Sequence, residues 1–362
     1  MRRPYGWAVA LEPQPAAALH PVADLSARGA PALGLELLDA ADRFGRPDFR
    51  DAAIQLARGI AASQRANGRI PARIAFAARP LSLDTPGPLA ERDPTIASLA
   101  FLSLPGVGEA GGEPVRRAAR RAAAFLLDQQ TASGGWPRLH RVGPDRADSA
   151  RLMLLSDGDY RRSTLALLLA YETFNDPAYR IGVERSVDLL LRMRVNESKS
   201  ASHLWMGAFD PDGSPTGKMP RFEQALDTAA THEALALLVE VYLVLGSEKA
   251  WEGAREAAAA LRALRTDSGR WLARYPLRHN ELVPVKAAAP PPPPAENPFS
   301  KVEPAPATEE ADFGLGELLD TIERVSRLGR QAYLKEMGKT SESAAPGLAR
   351  RLLGLCIQSR GK

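Results

Sequence analysis

Three short polar segments carry the side chains most able to do chemistry: SDGD at Ser156–Asp159, FDPDG at Phe209–Gly213 and KMPRFE at Lys218–Glu223. The paired carboxylates, Asp157 with Asp159 and Asp210 with Asp212, are hard oxygen donors suited to calcium or to the hydroxyls of a sugar. DPDG reads as readily as ordinary turn chemistry, in which proline, aspartate and glycine each meet a backbone demand. Arg221, beside Phe222 and Glu223, is either a bidentate anion binder or half of a surface ion pair. His140, His203 and His232 are too scattered to spell a metal site, and His232 reads as a core or capping residue near a helix start. No G-x-S-x-G, P-loop, H-E-x-x-H or dinucleotide fingerprint is present, which removes the commonest catalytic frameworks.

Helices must position these segments. The stretch QQTASGGWP, Gln129–Pro137, reads as a helix stop: Gly134 and Gly135 permit the reversal, Trp136 plugs back into apolar surface, and Pro137 prevents a restart. SQRANGRIP at Ser63–Pro71 and RTDSGRW at Arg265–Trp271 echo it, with Gln64 in the place of Gln129. A degraded copy follows Met193, with Trp205 as its anchor. Each copy closes two helix-like segments, as repeated αα-hairpins would. The expected hairpins begin at Pro31, Pro94, Ser163 and Thr228, and PGVGEAGG is the turn inside the second. First helices such as LALLLAY and EALALLVEVYLVL are apolar all round, whereas second helices such as EGAREAAAALRAL are charged on one face. That contrast predicts a buried inner ring and an amphipathic outer ring, or else an open α-solenoid. Trp136 is expected to be structural, leaving Trp205 and Trp271 as candidate platforms for a sugar face.

The chain has 362 residues, 45% of them hydrophobic, and a formal net charge of +4 from 47 basic and 43 acidic residues. The small surplus is spread over many segments and matches no nucleic-acid-binding pattern, so no nucleic-acid partner is expected. With Cys356 alone, no intramolecular disulfide or cysteine metal cluster can form. The first residues contain no uninterrupted apolar run of signal-peptide length, and no apolar stretch of roughly 20 residues is expected to span a membrane. A cytoplasmic location is the expectation from sequence. Residues 1–28 read as an irregular arm, 29–284 as the helical body, 285–312 as a linker and 313–362 as C-terminal helices docking on the body. The linker, KAAAPPPPPAENPFSKVEPAPATEEA, is either a polyproline II spacer or a docking motif for a protein partner. Helices are expected at Phe313–Glu336 and Ala345–Ser359.

The order of GGWP, an aspartate-bearing segment entering a helix, Trp205 to Asp210 as W-x-x-x-x-D, and PRFE at Pro220–Glu223 resembles the polysaccharide lyase family ten pectate lyases. The likeness covers roughly Leu25 to Pro284 and implies an all-α (α/α) toroid. It also implies β-elimination of polygalacturonate, in which a base removes the proton α to the uronate carboxylate. On the matching motif Arg221 takes the position of the catalytic arginine, and Asp157 and Asp210 those of carboxylates that bind substrate or calcium. Lys218 and Trp205 would contact substrate, and Arg324 and Arg327 in IERVSRLGR would clamp its carboxylates. The implied partner is an acidic polysaccharide, the implied cofactor calcium, and the implied location exported. The alternative reading is a carbohydrate-binding or scaffold protein of the same shape without catalysis.

Overall fold

A helix with no polar face is stable in water only if other helices enclose it, and that requirement organises this molecule. The computed structural model describes residues 22–26, 28–75, 81–82, 93–137, 152–195, 202–215, 225–278, 281–282 and 309–337. After β1 (Val22–Asp24), the first hairpin pairs α1 (Ala30–Phe44) with α2 (Pro47–Ser63). Strands β2 (Arg73–Ala75) and β3 (Leu81–Ser82) precede the second, which holds α3 (Asp93–Leu102), α4 (Pro105–Gly111) and α5 (Glu113–Asp128). Strand β4 (Met153–Leu154) leads to the third, α6 (Asp159–Phe174) with α7 (Pro177–Arg192). Strands β5 (Ala208–Phe209) and β6 (Ala225–Asp227) lead to the fourth, α8 (Thr228–Leu245) with α9 (Glu248–Ala263). Four short strands, β7 (Trp271–Leu272), β8 (Arg274–Arg278), β9 (Glu281–Leu282) and β10 (Glu310–Ala311), come before α10 (Leu315–Leu328) and α11 (Arg330–Met337).

The fold is all-α, an incomplete (α/α) toroid. Helices α1, α3, α6, α8 and α10 form an inner row in which each packs on the next, while α2, α5, α7 and α9 back them. Burial follows the hydrophobic pattern. Pro94–Leu102, Arg162–Ala170 and Ala234–Leu243 are buried without a break, whereas α5 buries Val115, Ala118, Ala119, Ala122 and Phe125 and turns its arginines outward. Helix α8 is long and apolar enough to span a membrane by length and composition, contrary to the expectation, but 72% of that window is buried by its neighbours. Among the described residues α10 and α1 do not pack on each other to a comparable extent, so the inner row is open at a seam.

The glycine–tryptophan turns join one hairpin to the next. In each of three copies a backbone N–H bonds four residues ahead: Arg65 to Arg69 at 2.9 Å, Thr131 to Gly135 at 2.8 Å and Thr266 to Arg270 at 2.8 Å. Gln64 Nε2 donates to the carbonyls of Gly68 and Ala118, and Gln130 Nε2 to those of Gly134 and Gly182. The second acceptor of each pair lies on the next outer helix, so Gln130, and not Gln129, is the counterpart of Gln64. The indole N–H of Trp136 donates to Leu126 O at 3.0 Å, that of Trp205 to Leu190 O at 2.8 Å, and that of Trp271 to Leu261 O at 2.8 Å. Each tryptophan thereby satisfies a carbonyl near the end of an outer helix while burying its ring.

Two boundaries differ from expectation for identifiable reasons. PGVGEAGG is a short helix, α4, started by Pro105 and ended by Gly112 at φ 78°. The helix expected over Phe313–Glu336 breaks at Gly329, whose φ of 76° lets Arg330 turn back and donate to the carbonyls of Leu243 and Val244 at the end of α8. The helix expected over Ala345–Ser359 lies outside the described residues, as does the proline-rich linker.

Candidate functional site

The described parts of the long connections, each between an outer helix and the next inner one, lie at the end of the molecule where the inner helices begin. Antiparallel ribbons stitch them together: β1 with β2 and β3, β4 with β5, β6 with β8 and β9, and β7 with β10. The opposite face carries short turns such as Asn175–Asp176 and Gly246–Ser247.

At the connected face charged side chains from the first turns of α3, α6 and α8 cluster. Helix α6 begins at Gly158, at φ 71°, and Asp157 Oδ1 accepts the Asp159 N–H at 3.0 Å. A side chain at position 158 would press on Arg162 and Glu233 at 3.1 and 3.2 Å, so glycine lets α6 sit against α8. Arg162, nearly buried, bridges Asp159 on its own helix to Asp93 at the start of α3, 3.7 Å away, and donates to the Asp157 carbonyl at 3.3 Å. Arg161 points to α8, gripping Glu240 through Nε at 2.8 Å and through Nη2, and reaching Glu233 Oε2 at 3.3 Å. His232 Nδ1 lies 3.4 Å from Glu233 Oε1.

The same helix holds its two carboxyls in opposed electrostatic settings. Burial raises the Glu240 carboxyl above its ordinary range despite the Arg161 charge. Burial also pushes Glu233 upward, but the His232 hydrogen bond and the Arg161 charge outweigh it and leave Glu233 below its ordinary value. Asp227, which caps α8 by accepting the Ala230 N–H at 2.8 Å, is raised by burial. Asp93, Asp159, His232 and Glu233 keep about a fifth of their side-chain surface open to water, so this rim can accept hydrogen bonds from hydroxyl groups.

No family model and no curated protein sequence matches the chain. Among solved structures, a mutant of the family 10 polysaccharide lyase from Cellvibrio cellulosa, in complex with trigalacturonic acid, is similar at 17% identity and a TM-score of 0.46. That match covers 70% of this chain and 84% of that one. Cellobiose 2-epimerase from Spirochaeta thermophila is similar at 18% identity and a TM-score of 0.47, over 70% and 62% of the two chains. The unsaturated glucuronyl hydrolase from Bacillus sp. GL1 is similar at 14% and 0.44, over 92% and 73%. At this level of similarity the likeness says nothing of activity.

The sequence-selected residues separate. Asp157 stands in the cluster as the turn-forming residue ahead of α6. Asp210 does not join it: β4 and β5 pair Met153 with Phe209, which puts Asp210 beyond one end of the ribbon and Asp157 beyond the other. Its segment is a turn, with Gly213 N–H on Asp210 O at 2.9 Å, Ser214 on the Asp212 carboxylate and Ser133 on Pro211 O at 2.6 Å. Asp157 and Asp210 therefore do not fit a shared calcium ion, and among the described residues no group of three or more His, Cys, Asp or Glu is arranged to hold a metal. Trp205 is fully buried and Trp271 is 1% exposed, so neither is a sugar platform; each fills the space beneath its turn, as Trp136 does. Arg324 is exposed, pairs with Glu336 at 2.8 Å and lies over Tyr333, and Arg327 is exposed near the end of α10. Both lie in the second half of α10, away from the face where it begins, and its buried stripe of Leu315, Leu319, Ile322 and Val325 leaves them on the outward side. Lys218 and Arg221 lie outside the described residues.

The sequence reading missed Arg161, Arg162, Glu233 and Glu240. The signal was present as charges inside otherwise apolar helices, DYRRSTLALLLAY and THEALALLVEVY, with Glu233 and Glu240 two turns apart on one stripe.

Proposed function

We propose that the protein acts on an acidic polysaccharide of the polygalacturonate type, bound across the face where α3, α6 and α8 begin, and cleaves it by β-elimination. The observation that carries this reading is the cluster of Asp93, Asp157, Asp159, Arg162, His232 and Glu233 where the inner helices begin. The motif that resembles the lyases is flanked by residues on that face: Pro215 bridges to Phe209, and Ala225 pairs with Pro276. In the reaction the proton α to the uronate carboxylate leaves first, and expulsion of the 4-linked oxygen forms a double bond. Negative charge grows on the uronate, so cations must meet it. By the resemblance Arg221 is the base and Lys218 binds carboxylate; the rim carboxylates and His232 orient sugar hydroxyls. An arginine base requires desolvation of its guanidinium, which points to activity at alkaline pH.

Saccharide binding without cleavage is the second reading, favoured by the burial of Trp205 and the turn at Asp210, two positions where the resemblance expects ligand contacts. One assay separates the two: near-ultraviolet absorbance of the unsaturated uronate formed from polygalacturonate at alkaline pH, with and without calcium. Product that disappears in both Arg221→Lys and Arg221→Ala supports the lyase, because an ammonium cannot reproduce the planar fork of a guanidinium. Binding without product supports the second reading, and neither product nor binding ends both.

A further inference from the structure

At the connected face, where α10 begins, one exposed aromatic residue stands on strained backbone. Phe313 is 46% exposed and has a φ of 50°, and Gly314 after it has a φ of 79°. With Leu315 N–H donating to Asp312 O at 2.9 Å, the two form the centre of a four-residue turn that Asn-Gly or Gly-Gly adopts without strain. A bulky side chain is disfavoured there, and because nearly half of the ring's surface stays in water, core packing offsets little of the strain. A lone apolar residue on the surface needs no explanation when its backbone is ordinary. Phe44 and Leu328, which end α1 and α10, and Ile181 on the outer helix α7 are of that kind. Phe313 is not, and strain of this sort is retained where it serves a site.

The turn is fixed beside the charged rim. Ala311 pairs with Trp271 across the β7–β10 ribbon; Ala273, between β7 and β8, donates to Glu309 O at 2.6 Å and accepts the N–H of Thr228, the first residue of α8, at 3.1 Å. Asp312 Oδ1 accepts the Gly316 N–H at 3.0 Å, and Leu315 is fully buried. A Cβ on Gly314 would lie 3.7 Å from His232 Nε2, while Nδ1 of the same imidazole faces Glu233. Glu233 in turn lies against Gly158 ahead of α6. Phe313 is therefore one residue from the α10 end of the polar row formed by Asp93, Arg162, Asp159, Glu233 and His232.

We propose that Phe313, held on this turn beside His232, is the stacking platform for one pyranose ring of the saccharide, a role that rests on the proposed saccharide site at this face. A pyranose is amphipathic: axial C–H groups make one face apolar, and hydroxyls line its edge. An aromatic ring next to carboxylates and an imidazole meets both surfaces. Trp136, Trp205 and Trp271 are buried and cannot do so. Because the ribbon and the Asp312 cap fix the turn, the ring is held in place before the ligand arrives, which lowers the ordering cost of binding. A protein partner would need a wider apolar patch, whereas the side chains next to this ring in chain and space, Glu310, Asp312 and His232, are polar.

Titration calorimetry with trigalacturonate, together with urea unfolding of the same variants, tests this. Phe313→Asn suits the turn, so relief of strain should offset the loss of a half-exposed ring and leave the unfolding midpoint near that of the native chain. Its binding should be roughly tenfold weaker, because the stacked face is gone. Phe313→Tyr keeps the ring and should keep most of the affinity, and Phe44→Ala, at the far face, should keep all of it. Native affinity in Phe313→Asn, an equal loss in Phe313→Tyr, or an unfolding midpoint that falls together with the affinity would each overturn the platform and leave the saccharide site standing. A native chain that does not bind trigalacturonate would overturn both.

Discussion

Arg161 and Glu240 are withdrawn from water together, with 13% and 7% of their side chains exposed, and neither is stable there alone. Removing one partner of such a pair typically costs ~3–5 kcal/mol, because the other charge stays buried. Arg161→Met should therefore destabilise by about that amount in urea unfolding, and the double variant Arg161→Met with Glu240→Leu should recover much of the loss. A double variant as unstable as the single would show that Glu233 is the partner that matters. Asp227 makes a pH prediction. Burial raises its carboxyl above the ordinary 3.8, so the folded protein holds that proton more readily than the unfolded chain. The stability linked to this group is complete below the ordinary value and is lost as the pH rises through the raised one. Asp227→Asn keeps a capping oxygen for Ala230 and removes the titration. Its stability relative to the native chain should rise from acid to neutral pH, read from denaturant midpoints at each pH. A difference that stays flat with pH would rule the shift out.

At the scale of elements, two glycines separate backbone strain from steric contact. Gly45 ends α1 at φ 63° with nothing near a would-be side chain, whereas at Gly134, φ 109°, a Cβ would meet Arg185 O at 2.3 Å. Gly45→Ala should cost about 1 kcal/mol, the penalty of a left-handed alanine. Gly134→Ala should cost clearly more, since the turn must also withdraw from α7; equal costs in thermal unfolding would mean that the contact relaxes freely. Trp205→Ala should lose ~3–5 kcal/mol of stability, where a sugar platform would lose binding and leave the unfolding transition in place. The tryptophan turns were legible as helix stops because Gly-Gly-Trp-Pro chemistry is local. The burial of Trp136 was legible as well, whereas that of Trp205 and Trp271 was not, because whether a ring is covered depends on how neighbouring elements pack over it and not on the local pattern.

For the whole molecule, the row of inner helices should be most stable in its middle. Helices α6 and α8 are enclosed and tied by the Arg161 network, while α1, α10 and α11 border the seam. In hydrogen-exchange mass spectrometry, amides of α1 and α11 should exchange faster than those of Leu165–Ala170 and Ala234–Leu243. Uniform protection along the row would mean that the seam is closed in solution.

The sequence by itself determined the hairpins and their layers: an all-apolar helix cannot face water, so LALLLAY and EALALLVEVYLVL had to be inner and their charged successors outer. Helix starts and stops followed from proline, glycine and capping residues, whose effects act within a turn or two. Tertiary structure alone decided which polar residues meet. Asp157 and Asp210 look alike in sequence, yet the β4–β5 register puts them at opposite ends of one ribbon. Arg161 and Glu240, far apart along the chain, meet because α6 packs on α8. Local chemistry sets where a helix begins, but only the packing of one helix on another brings distant charges within reach.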